Sequence, residues 1–213
     1  MMPQLDCQAD LEEALNALAT ECPVIAASLR HAGMPVLRRR EPGFAGLVRI
    51  ITGQQLSVAA AATIHGRLEA GGPVVPARFA PGGEAALRAC GLSAPKIRTL
   101  AAAAAAIENG DLTPESLGTM EQAEARAQLT AITGIGPWTA DIFLLFCLGR
   151  GDIWPAGDIA LQAAVGMAHR LEWRPGADEA AEIAARWSPY RGAAAHLMWA
   201  LYAAVKERGA VPV

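Results

Sequence analysis

Apolar residues recur every three or four positions along most of the chain, which is the spacing of one face of an α-helix. These segments alternate with short stretches of glycine, proline and polar residues that end helices. The pattern predicts about ten helices and no convincing strand. Much of the apolar content is alanine, which favours closely packed helices. We therefore expect an all-α fold.

One segment, "LTAITGIGPWTADIFLLFCLGRGDIWPAGDIALQ" (residues 129–162), carries a distinctive turn between two predicted helices. Gly134 and Gly136 leave the turn's backbone amides unshielded by side chains. Pro137 suits the first position of the second helix, where its missing N–H costs nothing. The exposed amides at this helix N-terminus predict an anion site. The alternative is a tight helical hairpin used only for packing.

A single carboxylate, Asp158, follows this turn by about twenty residues and precedes another predicted helix. One interpretation is a helix N-cap, a role that aspartate fills often. The other is a functional carboxylate, and a capping geometry is compatible with both roles. The neighbouring carboxylates Asp141 and Asp152 are expected on a helix surface or in a turn.

Charge and composition describe a globular protein and give no general support for a nucleic-acid partner. The chain has 213 residues, 53% of them hydrophobic and 18% charged, with a formal net charge of −3. Residues 30–49 are an exception, because five arginines oppose Glu41 alone there. This segment is either a solvated loop or a strip that faces phosphates. The arginines are Arg30, Arg38, Arg39, Arg40 and Arg49.

The cysteines are scattered and show no metal-ligand spacing, so we expect free thiols and no iron–sulfur cluster. No apolar stretch reaches eighteen residues, and the start "MMPQLDCQAD" lacks the pattern of a signal peptide. We expect an intracellular, cytoplasmic protein without a membrane partner. The four cysteines are Cys7, Cys22, Cys90 and Cys147.

The motif "L-x-x-I-x-G-I-G-x-W-T-A" followed by "D-I-W-P-A-G-D-I-A-L-Q" resembles the helix-hairpin-helix (HhH-GPD) DNA glycosylase superfamily. Its 3-methyladenine DNA glycosylase II branch is the most similar, since "ITGQQLSVAAAATI" (51–64) and "RWSPYRGAAAHLMW" (186–199) also match. The resemblance spans about residues 44–205. It implies a hydrolase that acts by base flipping on alkylated, cationic purines such as 3-methyladenine and so initiates base excision repair.

The resemblance also implies the domain organisation. Residues 1–213 form a single glycosylase unit of two helical lobes with an active-site cleft between them. Residues 40–118 make the middle lobe, and residues 1–39 with 119–213 make the lobe that carries the hairpin and the catalytic aspartate. We expect the compact form that lacks the N-terminal β domain of many bacterial relatives.

Site roles carry over residue by residue. Asp158 is the expected catalytic residue, and either Gln55 or Leu56 is the wedge that replaces the flipped base. Ile142 and Ile159 stand where relatives often have tyrosines. Trp154, Trp187 and Tyr190 are expected in the core. The expected base-pocket residues are Trp138 and Trp199, the residues that bind the DNA backbone are Gly134, Ile135, Gly136 and Thr139, and the main-chain ligands for Na⁺ or K⁺ are Thr130, Ile132 and Ile135.

Trp138 occupies the position at which relatives that cut the DNA backbone have lysine. Because an indole cannot form a Schiff base, we expect a monofunctional enzyme that leaves an abasic site. Trp138 as a core aromatic and Leu56 as an inward-packing residue remain alternatives. The expected partner is double-stranded DNA containing alkylated bases, with the protein a monomer. Other functions left open are a non-catalytic damage sensor and a glycosylase for oxidised or deaminated bases.

Overall fold

The structure, a computed structural model, describes residues 3–209. Within that range the chain forms α-helices and no β-strand, apart from one isolated antiparallel bridge between Gln4 and Arg150. The predicted all-α fold is confirmed. The helices are α1 (Gln8–Glu21), α2 (Pro23–Ala32), α3 (Gly43–Gly53), α4 (Val58–Ala70), α5 (Glu84–Ala89), α6 (Ala94–Glu108), α7 (Gln122–Thr130), α8 (Pro137–Phe146), α9 (Ile159–His169), α10 (Ala177–Ala185) and α11 (Arg191–Gly209).

Residues 3–39 and 149–209 lie in one compact unit, which we call the terminal unit. It contains α1, α2, α9, α10 and α11, and α11 packs against both α9 and α2. Ala193, Ala194 and Ala195 of α11 are fully buried. Since each carries only a methyl group, the neighbouring helices approach α11 closely. The high alanine content thus serves helix packing.

Arg40–Leu148 forms a second compact unit, the middle unit. Here α3 packs against α4, α6 and α8. A Cβ atom on Gly46 of α3 would lie 2.8 Å from the Cys147 Sγ, so this helix crossing requires glycine. All residues of α8 after Trp138 are buried, as its uninterrupted apolar sequence predicts.

The two units differ from the predicted lobes in the place of residues 119–148. We expected these residues, which include the hairpin, to join the chain termini, whereas they group with the middle unit. The reason is that the apolar helix α8 packs on α3, and α7 packs on α8. The boundary after residue 39 coincides with the expected one.

Asp141 is not on a helix surface, and that expectation was wrong. It is 4% exposed on α8, where its Oδ2 accepts a hydrogen bond from Arg126 Nη2 of α7 at 2.9 Å. A buried carboxylate requires such compensation because ionised groups lose hydration in the interior. The pair therefore links the two helices of the hairpin.

His196 lies buried on α11 in the terminal unit. Its Nδ1 donates to the main-chain oxygen of Gly192 at 2.8 Å. Burial lowers the pKa of His196 to about 4, and the charge of Arg38 also lowers it, against main-chain hydrogen bonds to Gly192 and Arg38 that raise it. His196 is therefore neutral at pH 7.

This lowered pKa predicts a loss of stability in acid. A histidine that stays neutral when folded but binds a proton when unfolded stabilises the fold fully above pH about 6.5, and that stabilisation falls as the pH drops toward 4. His196→Gln, which keeps an amide donor for Gly192, should remove up to about 3 kcal/mol of this pH dependence. Urea unfolding at several pH values measures it. His31→Gln, at an exposed site on α2, is the control; an unchanged slope in His196→Gln would contradict the prediction.

Candidate functional site

Asp158 is the N-cap of α9, so the capping interpretation is confirmed. Its Oδ1 accepts a hydrogen bond from the Leu161 main-chain N–H at 3.0 Å. The preceding turn is closed by the Asp158 N–H, which donates to the Pro155 oxygen at 2.9 Å. The Gln162 side chain donates to the Ala156 oxygen at 2.9 Å and holds the turn from within the helix. Contacts with residues near it in sequence therefore fix the position of the Asp158 side chain at the start of α9.

The same oxygen receives a second hydrogen bond from a distant part of the chain. Trp199 Nε1 on α11 donates to Asp158 Oδ1 at 3.2 Å, and both residues are half-buried. The Trp199 ring meets His196 edge-on, with ring centroids 6.1 Å apart. The structure thus brings together the predicted catalytic residue and one predicted base-pocket residue. Two donors on one oxygen hold the carboxylate in a single orientation.

Asp152 ties the loop before Asp158 to the start of α11. Its oxygens accept from Arg191 Nε at 2.8 Å, from Arg191 Nη2 at 2.9 Å and from the Ser188 hydroxyl at 2.9 Å. The Gly192 N–H also donates to the Gly151 oxygen at 2.7 Å. Asp152 lies in a turn as expected, but no sequence pattern indicated this tie. The contacts of Asp152 fix the position of the N-terminus of α11, the helix that carries Trp199.

The hairpin between α7 and α8 uses its two glycines differently. Gly134 has a φ of +90°, and a Cβ atom there would overlap the Thr99 hydroxyl of α6. Gly136 has a φ of −89° as the N-cap of α8, and among the described residues a Cβ atom on it would meet nothing within 4 Å beyond its own chain neighbours. Gly134 is therefore required by the fold, whereas the fold leaves space beside Gly136.

The turn exposes main chain at its two glycines, whereas the side chains of its two isoleucines are buried. Ile132 and Ile135 are buried, and the Ile135 N–H donates to the Ile132 oxygen at 3.0 Å. Thr139 is also buried, and its hydroxyl accepts from Gln54 Nε2 at 2.8 Å. A DNA contact by Thr139 would therefore use the main chain, whereas the Ile135 N–H is already engaged with the Ile132 oxygen. First-turn amides have no carbonyl four residues earlier within the helix, so the start of α8 suits an anion.

The loop between α3 and α4 presents two side chains to solvent. Gln55 is exposed and has a φ of +55°, in the left-handed region. Leu56 is 40% exposed, which does not fit the alternative in which it packs inward. Ser57 ends the loop as the N-cap of α4, because its hydroxyl accepts from the Ala60 N–H. The loop therefore offers both wedge candidates on its surface.

The other aromatic and apolar candidates lie in different surroundings. Trp138 is half-buried at the second position of α8 in the middle unit. Ile142 is buried, whereas Ile159 beside Asp158 is 61% exposed. Trp154 and Trp187 are core residues as expected, with ring centroids 5.4 Å apart. Tyr190 is half-buried.

Two arginines of the basic segment are engaged within the fold. Arg39 forms a 3.4 Å ion pair with Asp6 in the terminal unit. The Arg40 guanidinium lies 5.6 Å from the centre of the Phe146 ring in the middle unit. In the terminal unit Arg30 and Arg38 are exposed, as is Arg49 in the middle unit.

All four cysteines are free thiols. Among residues 3–209, no group of three or more histidine, cysteine or acidic side chains is arranged to hold a metal ion. In the same part of the chain, no helix combines the length and apolar character needed to cross a bilayer.

Comparison with known proteins assigns the chain to a family. The model of the HhH-GPD superfamily base excision DNA repair proteins matches residues 48–189, which include the hairpin and Asp158. "DNA-3-methyladenine glycosylase 1" of Schizosaccharomyces pombe is 32% identical over 168 residues, covering 76% of this chain and 73% of that protein.

Two further comparisons agree. The "Probable bifunctional transcriptional activator/DNA repair enzyme AlkA" of Mycobacterium tuberculosis is 34% identical over 92% of this chain, which spans 40% of that longer protein. The solved structure of the 3-methyladenine DNA glycosylase Mag1 from S. pombe with abasic DNA has a TM-score of 0.81 and 28% identity, covering 88% of this chain and 95% of that one. Together these matches show that the chain belongs to the HhH-GPD superfamily of base excision DNA repair proteins.

Proposed function

We propose that this chain is a monofunctional DNA glycosylase that hydrolyses the N-glycosidic bond of alkylated, cationic purines such as 3-methyladenine. The observation that carries the proposal is the Asp158 carboxylate, half-buried and oriented by Trp199 within a chain of this family. The relatives named as 3-methyladenine glycosylases support the substrate class.

The chemistry needs one fixed carboxylate. When the N-glycosidic bond breaks, its electron pair leaves with the base and positive charge develops on the sugar, as in other glycoside hydrolyses. The Asp158 carboxylate stabilises this charge and orients or deprotonates the water that adds to the sugar. An alkylated purine already carries a positive charge and departs as a neutral base. It therefore requires no dedicated general acid.

DNA binding relies on the hairpin rather than on net charge. The exposed amides near Gly134 and Gly136 and the partial positive charge at the start of α8 bind a phosphate. We propose that the carbonyls of Thr130, Ile132 and Ile135 would hold Na⁺ or K⁺, since carbonyl oxygens suit these ions. The Ile132 oxygen, which accepts from the Ile135 N–H, keeps a second lone pair for this role. Such an ion, when bound, would add positive charge beside that phosphate. No other cofactor is proposed.

The positions that the resemblance assigns to the base carry fewer aromatic residues here than in relatives. Trp138 and Trp199 supply electron-rich faces, and each cation–π contact contributes about 0.5–2 kcal/mol. Ile142 and Ile159 supply no such face where relatives often have tyrosine. A base flipped out of the duplex would therefore depend more strongly on the two tryptophans.

The positions of the lysines favour hydrolysis over lyase chemistry. The chain has two lysines, Lys96 and Lys206. Lys96 Nζ donates to two main-chain oxygens, and Lys206 Nζ lies 4.8 Å from the centre of the Tyr202 ring. Trp138 occupies the position of the family's amine nucleophile. We propose that the protein acts as an intracellular monomer on double-stranded DNA and leaves an abasic site.

Asp158→Asn tests the proposed chemistry with the fold preserved. Asparagine is a good N-cap and its oxygen still accepts from Leu161 and Trp199, so the variant removes charge alone. Base release from methylated DNA, followed by chromatography, should fall about 100-fold or more. Binding to an abasic-site analogue should persist. Unchanged release in this variant would remove Asp158 from the mechanism, and binding without release in the natural protein would favour a damage sensor.

Trp199→Phe separates the aromatic face from the indole N–H. Phenylalanine keeps an aromatic surface for the base but cannot hold Asp158. We expect kcat to fall about tenfold, in the range for one lost positioning hydrogen bond, with a smaller change in KM. Trp173→Phe is the matched control, because Trp173 is exposed and its N–H donates to Glu179. A change in KM alone would assign Trp199 to the pocket only.

The hairpin glycines give a third test. Gly134→Ala should lower the free energy of unfolding by about 1–3 kcal/mol, because φ is positive and the methyl group overlaps Thr99. Gly136→Ser, which places a favoured N-cap residue in open space, should leave unfolding nearly unchanged. Its side chain should nevertheless weaken binding to an abasic duplex, since it stands where a phosphate would approach. Binding equal to that of the natural protein in Gly136→Ser would contradict the hairpin's role.

A further inference from the structure

The loop between α3 and α4 is exposed at its tip and tightly held at its base. Residues 54–57, which we call the wedge loop, present Gln55 and Leu56 to solvent. Gln55 adopts a φ of +55°, a conformation that residues other than glycine rarely adopt. Such a conformation persists only where surrounding contacts determine it. The contacts around the wedge loop therefore determine the conformation of Gln55.

Lys96 reaches the base of the wedge loop from the first turn of α6. Its Nζ donates to the main-chain oxygens of Thr52 and Gln54, each at 2.8 Å. The Gln54 oxygen belongs to the planar peptide group that joins Gln54 to Gln55. The hydrogen bond from Lys96 therefore restrains the orientation of this peptide group, and with it the backbone at Gln55. The Thr52 oxygen lies at the C-terminal end of α3, which carries partial negative charge.

The Lys96 ammonium is poorly placed to act as a surface cation. Two carbonyl oxygens occupy part of its hydrogen-bonding capacity, and partial burial lowers the pKa of Lys96. Hydrogen bonds to charged groups are stronger than neutral ones, especially away from bulk water. Lys96 therefore connects α6 to the wedge loop through two hydrogen bonds.

Other contacts complete the base of the loop. The Gln54 side chain donates to the buried Thr139 hydroxyl on α8, and Ser57 caps α4. One turn beyond Lys96, Thr99 lies against Gly134 of the hairpin. The same face of α6 therefore supports both the wedge loop and the hairpin, and only Gln55 and Leu56 project between the fixed ends of the loop.

We propose that Lys96 is a positioning residue that holds Gln55 and Leu56 in the arrangement needed to enter the DNA stack during base extrusion. This inference rests on the proposed function. Lys96 acts through the carbonyls of Thr52 and Gln54 and contacts neither base nor sugar. An inserted side chain offsets part of the cost of unstacking. A misplaced loop therefore slows excision when the base must leave an intact stack.

The test compares one alkylated base in two settings. One duplex carries 7-methylguanine paired with cytosine, and the other carries it in an unpaired bulge. Lys96→Met should slow release from the paired site about tenfold, but from the bulge less than about threefold, because an unpaired base costs little to extrude. Lys96→Arg keeps donors for both carbonyls, so its ratio of paired-site to bulge release rates should return most of the way to that of the natural protein. Lys206→Met, on the surface of the terminal unit, should leave both rates unchanged.

If Lys96→Met lowered the rate of base release equally on the two substrates, or on neither, the proposal would be overturned. An equal decrease is what a smaller amount of folded protein would cause, because that affects paired and unpaired sites alike. Thermal unfolding checks that each variant is folded. If Lys96→Met does not fold, Lys96→Gln, which keeps a shorter amide donor, is judged by the same ratio.

A binding experiment tests the insertion of the wedge loop into DNA without requiring base release. 2-Aminopurine placed beside an abasic-site analogue fluoresces more strongly when its stacking is disrupted. Lys96→Met should produce a smaller increase than the natural protein at saturating concentration, and an equal increase would also overturn the role of Lys96. Failure of the natural protein to release any methylated base would contradict the proposed function instead, and the fluorescence comparison would still decide the role of Lys96.

Discussion

Asp158 Oδ1 accepts two hydrogen bonds, one from the Leu161 amide at the start of α9 and one from the Trp199 indole on α11. The first is local, because an N-cap aspartate bonds to the third residue of its own helix. The second joins two helices far apart in sequence, whose packing sets the distance. The orientation of the carboxylate is therefore a property of the terminal unit as a whole, and changes in the α9–α11 contact will affect it.

The tie between Asp152 and Arg191 explains why that contact is stable at the site. A bidentate arginine–carboxylate pair has a defined geometry, unlike most surface ion pairs. It fixes the first residue of α11 to the loop that leads to Asp158. Trp199 lies two helical turns further along the same helix, whose alanines Ala193, Ala194 and Ala195 are fully buried. A small angular error at Arg191 would therefore displace the indole from Asp158.

The features that sequence predicted well are those set by neighbours in the chain. The apolar period indicated the helices, Gly134 and Gly136 marked the hairpin, and the position of Asp158 indicated a cap. The Trp199–Asp158 bond spans 41 residues and the Gln54–Thr139 bond spans 85. Such contacts depend on how helices pack, which periodicity does not determine. For the same reason, the lobe to which residues 119–148 belong was not evident from the resemblance.

Asp141, Thr139 and Lys96 show a further limit, since each is a polar residue whose role is decided by burial. By type alone, an aspartate on a helix, a threonine in a first turn and an isolated lysine suggest solvent or ligand contacts. In the fold, each serves another part of the protein: Arg126, Gln54 and the wedge-loop carbonyls respectively. The chain has a net charge of −3 and uses one of its two lysines in this way, so the proposed DNA contact relies chiefly on the main-chain amides of the hairpin. Affinity should then come from the shape of the hairpin more than from bulk charge, and the precise support of the loops matters correspondingly more.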